Sequence, residues 1–339
     1  MKQIYAALDI SDKSTHVCVV DGAGAIVWRG ICATDPDALA SVLKKRCPAV
    51  VRVVLETGPL SAFLYHGLVE RGLPAICVCA RHAKGVLSTR VNKSDPHDAE
   101  GLAQLARTGW FKAVRIKQEA THIDRAHLKI REQLVTSRQA MANQLRGLLK
   151  LFGLRLGKVS TPGKRRERLE ALFAQKPELR TVMQPLIDSI EALEAQIKRS
   201  TKLLAASAEG DPVASRLMSV PGVGPFIALT YKSSIEDPER FARGDDVGAY
   251  AGLVPRRNQS GERDYKGRIS KAGDAMLRSA LYEAANNLLA RVKRPCAIQT
   301  WGKKLAETKG PKRARIAVAR KLAVLLHRLW LSETEFRWT

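Results

Sequence analysis

The sequence predicts an N-terminal α/β domain with a mixed sheet, followed by a remainder that is almost entirely helical. Three observations carry this. Short apolar runs alternate with helically spaced segments through roughly the first 110 residues. From Gln118 onward the strand signal vanishes. The charge is also unevenly divided. Met1 to Gly109 carries 13 Lys and Arg against 10 Asp and Glu, a net of +3, whereas Trp110 to Thr339 carries 44 against 23, a net of +21.

"IYAALDIS" reads as a buried strand ending on Asp9, and "THVCVVDGAGAIVWRGI" as two strands joined by a turn around Asp21, Gly22 and Gly24, which together make an antiparallel meander. "DPDALASVLKKR" has helical spacing with Asp35 as its cap. "VRVVLE" is a short apolar strand ending on Glu56, "PLSAFLYHGLVERG" a helix stopped at Gly72, and "PAICVCA" another strand. A helix follows from Pro96 to Arg107. Three strands, then helix, strand, helix, strand and helix, give an α/β layer fold.

Beyond Gln118, "HLKIREQLVTSRQAMANQLRGLLKLFG" is a basic amphipathic helix. "PLIDSIEALEAQIKRSTKLLAA" sets Leu186, Ile190, Leu193, Ile197 and Leu204 near heptad spacing. Joined through the polar segment "TPGKRRER", the two make a helical hairpin or a coiled coil, and the stripe is expected to bury against another chain. The last third is helical with Gly- and Pro-rich interruptions and ends in "KRARIAVARKLAVLLHRLW". The expected domains are residues 1–112, 113–210 and 211–339, and a length of 339 residues allows that many.

A near-neutral first domain before a strongly basic remainder points to a nucleic-acid partner. Six cysteines without a CxxC pair resemble neither a zinc site nor a disulfide framework, and they fit a reducing cytoplasm. The start "MKQIYAALDIS" lacks the apolar core of a signal peptide, and no stretch is apolar and long enough to span a membrane.

The stretch "KSDPHDAEGLA" has two readings. In one it only starts a helix, with Asp95 as N-cap, Pro96 at the first helical position and Asp98 complementing the dipole. In the other, Asp95 and Asp98 share a helix face at i and i+3 and bind metal. Two-metal phosphoryl transfer needs carboxylates converging from several elements. Asp9 and Glu56 each end an apolar strand, and strand ends and helix starts can meet on one sheet edge.

"LDIS" at Asp9, "LETG" at Glu56 and "KSDPHDA" at Asp95 and Asp98 together resemble the DEDD tetrad of the insertion-sequence-110 family of transposases. The resemblance implies a RuvC-like, ribonuclease-H-type N-terminal domain holding magnesium, two ions in all, at these four acids. His97 is then a surface residue. "LMSVPGVGPFIA" looks like a helix-hairpin-helix whose Gly222 and Gly224 let backbone N–H groups approach a phosphate. Ala249 to Ala285, "AYAGLVPRRNQSGERDYKGRISKAGDAMLRSALYEAA", is similar to the most characteristic block of that family's transposase domain, where a serine is the nucleophile. By position this is Ser260, with Ser270 the competing candidate.

Read on its own residues, the block gathers Arg256, Arg257, Arg263, Lys266, Arg268 and Lys271 around two hydroxyls. Such cations would stabilise charge built up at phosphorus. The resemblance further implies a composite active site, a covalent phosphoserine link, a guide RNA encoded by the element that pairs with donor and target DNA, and a homo-oligomer. Two rival readings are a metal-dependent, junction-resolvase-like nuclease that uses water and a non-enzymatic nucleic-acid-binding protein. The first leaves "GLVPRRNQSG" without a purpose, and the second leaves the acids' placement to chance.

Overall fold

The computed structural model describes residues 3–88, 94–159, 161–261 and 263–338. The chain divides into two compact units, Met1–Gln118 and Glu119–Thr339.

The first unit is built on a five-stranded mixed sheet. Strands β1 (Ile4–Ile10), β2 (Ser14–Asp21) and β3 (Ile26–Ala33) form the expected meander, followed by α1 (Pro36–Arg46), β4 (Val50–Glu56), α2 (Ser61–Glu70), β5 (Ala75–Val78), α3 (Ala80–Leu87) and α4 (Asp95–Thr108). The strand order is β3-β2-β1-β4-β5, with β1 and β2 antiparallel and β1, β4 and β5 parallel. Helix α3 adds an element beyond the expected order.

The alternation of side chains along each strand sorts the core into two layers. Ala6, Leu8, Val17, Val19, Val53 and Leu55 pack against Leu39 and Leu43 of α1 and Leu64 and Leu68 of α2. Tyr5, Ala7, Cys18, Val20 and Val54 pack on the other face against Ala99, Leu102, Ala103 and Ala106 of α4.

Helix α4 starts one residue earlier than expected, at Asp95 itself. Ser94, with φ −154° and ψ 148°, is the N-cap, so Asp95 and Pro96 take the first two helical positions and Asp98 the fourth. The Asp98 N–H donates to the Ser94 carbonyl at 2.9 Å, which fixes this register. The i, i+3 relation of Asp95 and Asp98 is unchanged.

The second unit opens with α5 (Glu119–Leu151), α6 (Pro162–Phe173) and α7 (Glu178–Glu209). The polar connection expected around "TPGKRRER" is itself a helix, capped by the Thr161 side chain. Helices α5 and α7 run antiparallel, since Arg131 reaches Thr201 at 2.9 Å and Arg138 approaches Glu194 at 3.7 Å. The heptad-like stripe is covered within the chain in part, at Ile190 and Leu204, while Leu186, Leu193 and Ile197 are half-buried. Ile190 is fully buried with Leu145, Leu149, Met183 and Ile187, and Leu204 is buried with Leu128. Ile190 is therefore a core position of this unit, packed against Leu145 and Leu149 of α5. Truncation of Ile190 to alanine is expected to cost about 3 kcal/mol in urea unfolding, whereas Leu203→Ala, exposed on the same helix, should be near neutral.

The rest comprises α8 (Pro212–Met218), α9 (Pro225–Ile235), a 3-10 turn (Pro238–Arg240), α10 (Gly244–Tyr250), β6 (Pro255–Ser260), β7 (Arg263–Ile269), α11 (Ala275–Ala290), α12 (Ala297–Lys309) and α13 (Pro311–Leu331). The β6–β7 hairpin departs from the all-helical expectation. Its strands carry Arg, Asn, Gln, Lys and Asp instead of alternating apolar residues, and every residue of β6 is exposed, so no core-facing period marks them. Among the described residues no helix is long and apolar enough to cross a membrane.

Candidate functional site

In unit 1 the sheet brings the acids to one edge. Leu8 pairs with Leu55, so Asp9 and Glu56 each come one residue later, at the carboxyl ends of adjacent parallel strands. Asp9 follows the alternation of Tyr5 and Ala7, and Glu56 that of Val54. Both therefore project to the α4 side of the sheet. Asp9 and Glu56 line a cleft of about 200 Å³ with Ser11, Asp12, Thr57 and Ser61. Its rim is held by two hydrogen bonds: Thr57 N–H donates to the Val78 carbonyl at 3.0 Å, and the Thr57 hydroxyl accepts from Ala80 N–H at 3.0 Å.

Asp95 reaches the same edge from the start of α4. Ligand atoms of Asp9, His16 and Asp95 all lie within 4.8 Å of one another. His16 is the residue that sequence reading missed. It sits on β2 directly opposite Asp9, and it shares the face of Cys18 and Val20. Pairing the two strands across the tight Ser11–Lys13 turn would have exposed it. Its Nδ1 is buried, has no hydrogen-bond partner among the described residues, and stands 3.9 Å from Asp95 Oδ2.

An orphaned imidazole nitrogen beside two carboxylates is a donor set that fits a divalent ion. Glu56 and Asp98 fall outside this grouping. A pair of ions about 3.5–4 Å apart needs ligand atoms spread more widely than a single 4.8 Å cluster. Asp98 is half-buried, and His97 is exposed, as expected. Glu100, the next acid on α4, is held by Arg29 of β3 at 2.5 Å. Burial pushes the Cys77 thiol, on the strand beside Glu56, up to about 11, so it stays protonated near neutral pH and is no rival nucleophile.

In unit 2, Ser260 ends β6 at the tip of the hairpin and is exposed, next to Gly261 at φ +57°. The cross-strand register pairs Ser260 with Arg263, Gln259 with Asp264, Asn258 with Tyr265 and Arg257 with Lys266. Directly opposed residues share a face. Arg263 and Tyr265 therefore lie on the Ser260 face, while Arg257 lies on the other, where it clasps Asp264 at 2.8 and 3.0 Å. Arg256 donates to the Ser270 carbonyl at 3.3 Å. Arg268 and Lys271 are exposed. The Lys266 side chain, like the whole of Lys93 at the head of "KSDPHDA", lies outside the described residues. Of these cations Arg263 is the one paired directly across from Ser260.

The base of the hairpin is tied by backbone bonds. Ser270 N–H donates to the Val254 carbonyl at 2.8 Å and Lys271 N–H to the Gly252 carbonyl at 3.1 Å. Gly252 and Gly273 have φ of +69° and +83°, and a Cβ on either would strike the backbone of Ala272 or Tyr250. Next to them Asp274 caps α11, accepting from Met276 and Leu277 N–H, and it receives Arg125 of α5 at 2.7 Å and the Ser234 hydroxyl at 3.1 Å. Gly222, at φ +89°, presses on α11, where a Cβ would meet Ala284 O at 2.7 Å and Leu288 N at 2.9 Å. Gly224 has open space and is the N-cap of α9.

The Arg125–Asp274 pair is 15 % and 14 % exposed. Burial alone would raise the Asp274 carboxyl, but the Arg125 guanidinium, the Leu277 N–H and the Ser234 hydroxyl hold it below its ordinary value. A carboxylate lowered in the folded state contributes stability above its unfolded value of about 3.9, and that contribution is lost as pH falls through the folded value. Arg125→Met leaves a buried charge unpaired and should cost about 3–5 kcal/mol in denaturant unfolding at pH 7. The loss should shrink as pH falls, because the carboxyl no longer held down by Arg125 takes up a proton more readily than in the wild type.

Comparison with known proteins places these features. The transposase family model of the DEDD IS110 type matches residues 6–153, and that of the "Transposase IS116/IS110/IS902 family" matches residues 214–301. The chain is 30% identical to the transposase for insertion sequence element IS1111A of Coxiella burnetii, over 99% of this chain and 92% of that protein. It is 32% identical to a probable family 20 transposase of Pseudomonas aeruginosa, over 73% of this chain and 74% of the other. It is also 33% identical to a pilin gene-inverting protein of Moraxella bovis, over 41% and 42% of the two chains. The α/β unit bearing Asp9, Glu56, Asp95 and Asp98 and the region containing Ser260 fall within the two matched stretches, and the chain belongs to the IS110 family of DEDD transposases, enzymes of DNA recombination.

Proposed function

We propose that the chain moves an insertion sequence by cutting and rejoining DNA strands with a metal-binding acidic tetrad and a serine nucleophile, guided by an RNA that the element encodes. The observation that carries this reading is the convergence of Asp9, His16 and Asp95 at the sheet edge that also ends in Glu56. Asp9, Glu56, Asp95 and Asp98 would hold magnesium, which when bound supplies Lewis-acid stabilisation of the charge on the scissile phosphate.

Ser260 Oγ attacks phosphorus. An Oγ–P bond forms, the bond from phosphorus to one deoxyribose oxygen breaks, the serine proton leaves and the departing oxygen is protonated. Arg263, across the hairpin from Ser260, is placed to bind the non-bridging phosphate oxygens. Tyr265, 68 % exposed on the same face, offers a base a stacking surface. The α8–α9 turn is proposed as a helix-hairpin-helix phosphate contact at Gly224, since the N-terminus of α9 has no side-chain cap.

Guidance by RNA rests on the family resemblance and on the positive surplus after Trp110, with base pairing supplying sequence choice while the protein holds backbone. Lys312, Arg313 and Arg315 lie in the first turns of α13, where the helix dipole disfavours cations, so an anionic partner accounts for them better than the helix does. Reversing these three charges should lower the salt slope of nucleic-acid binding by up to about 3 and weaken it across sequences. An unchanged slope would show a merely solvated face. Arg165 carries no such expectation, because it is buried and bound twice to Glu194.

The experiment is a cleavage reaction. Purified protein, RNA transcribed from the DNA flanking the gene, labelled donor DNA and magnesium should give a protein–DNA adduct that survives denaturation. Metal-dependent cleavage with free ends and no adduct would favour the hydrolytic nuclease, and binding without cleavage a non-enzymatic protein.

A further inference from the structure

The tetrad accounts for four oxygen donors and leaves His16 unused. We propose that His16 Nδ1 is a direct ligand of the divalent ion held by Asp9 and Asp95, giving that ion a mixed nitrogen and oxygen shell. The proposal rests on the metal reading of the acidic edge and adds to it a residue and a preference among metals.

The geometry is specific. Asp9 and His16 are directly opposed across β1 and β2, and such pairs hold their Cβ atoms about 4.5–5.5 Å apart. The sheet fixes both backbones, with Ala7 pairing Cys18 and Leu8 pairing Val17 just before them. In octahedral coordination at about 2.1 Å, ligands on opposite sides of an ion stand about 4.2 Å apart. The 3.9 Å between His16 Nδ1 and Asp95 Oδ2 falls inside that span, so one ion can touch both without movement of the backbone. The same distance is too long for a hydrogen bond.

His16 is 18 % exposed, yet its Nδ1 is fully covered and unpartnered among the described residues. Leaving a buried polar atom unmatched costs stability, so such an atom calls for a partner. A coordinated ion supplies one. The carboxylates grouped with it among the described residues are those of Asp9 and Asp95, and at 3.9 Å Asp95 is beyond hydrogen-bond reach even of an Nδ1–H.

A nitrogen donor changes which metals the site prefers. Carboxylates suit magnesium and manganese about equally well, whereas imidazole adds affinity for transition ions more than for magnesium. The wild-type site should therefore favour manganese over magnesium, and His16 should set that preference.

The test uses the full-length protein and manganese as the probe, with pulsed electron paramagnetic resonance as a readout that needs no catalysis. Manganese bound to the wild-type protein should show nitrogen hyperfine coupling, and the coupling should change on labelling histidine with ¹⁵N. The labelling arm involves no substitution and so cannot fail through misfolding. In His16→Gln the coupling should vanish and manganese affinity should fall at least about tenfold, with magnesium affinity reduced less. Asp9→Ala should lose manganese itself. Manganese bound with no nitrogen coupling, or coupling that persists in His16→Gln, overturns the assignment of His16 while leaving the acidic site standing. Absence of manganese binding by the wild-type protein overturns both.

Discussion

Asp9→Ala, Glu56→Ala, Asp95→Ala and Asp98→Ala are each expected to reduce strand cleavage by at least about three orders of magnitude. That corresponds to roughly 4 kcal/mol of lost transition-state stabilisation, within what a metal ion supplies to a reacting phosphate. None of the four side chains belongs to either apolar layer of unit 1, so thermal unfolding should shift little, and nucleic-acid binding, which draws on the positive charge beyond Trp110, should persist. The check is a single-turnover cleavage rate beside a melting curve for each variant. Full activity in the Asp95 and Asp98 double alanine variant would return the start of α4 to the role of a helix terminus alone.

Ser260→Ala should abolish both the covalent adduct and recombination while leaving RNA affinity within about twofold, since one neutral hydroxyl removes no counterion-releasing contact. The position tolerates the change. It is exposed at the hairpin tip, it makes no packing contact with the core, and the left-handed turn is borne by Gly261. Ser270→Ala should do less. Its hydroxyl accepts a long 3.3 Å bond from Ala272 N–H at the base of the hairpin, and its backbone, which the substitution preserves, does the holding. A denaturing gel of the cleavage reaction with labelled DNA separates the cases. Normal recombination by Ser260→Ala would sink the assignment of the nucleophile.

The N-terminal fold was legible because its physics is local. Apolar runs such as "YAAL" and "RVVL" end abruptly in an acid, and that break marks both the strand end and the candidate ligand. The cap of α4 was displaced by one residue because Ser94 and Asp95 are both good caps, and only the backbone bond from Asp98 to Ser94 chooses between them. His16 was not legible by type, because a histidine in a strand is usually unremarkable. It becomes informative only when the register sets it opposite Asp9.

The β6–β7 hairpin was hidden for a different reason. With no buried face on β6 it has no apolar alternation, and what holds it is the β6–β7 ladder, the Arg257–Asp264 pair and backbone bonds at its base from Ser270 and Lys271 to Val254 and Gly252. The stripe from Leu186 to Leu204 was legible as a stripe but not in its partner. Periodicity shows that a helix face must be covered, and nothing in it says that α5 of the same chain takes the Ile190 and Leu204 positions. Arg165 shows the same limit among charges. It reads as part of a basic run, yet it is 8 % exposed and held by two bonds to Glu194, which keep the Glu194 carboxyl below its ordinary value.

The most direct measurement is peptide mapping of the protein–DNA adduct. The cleavage reaction is stopped in denaturant, the adduct isolated, the DNA trimmed by nuclease and the protein digested for mass spectrometry. The account predicts one modified peptide, with a nucleotide phosphate on Ser260 and none on Ser270. A phosphate on Ser270, or cleaved strands with no protein attached to them, would contradict it.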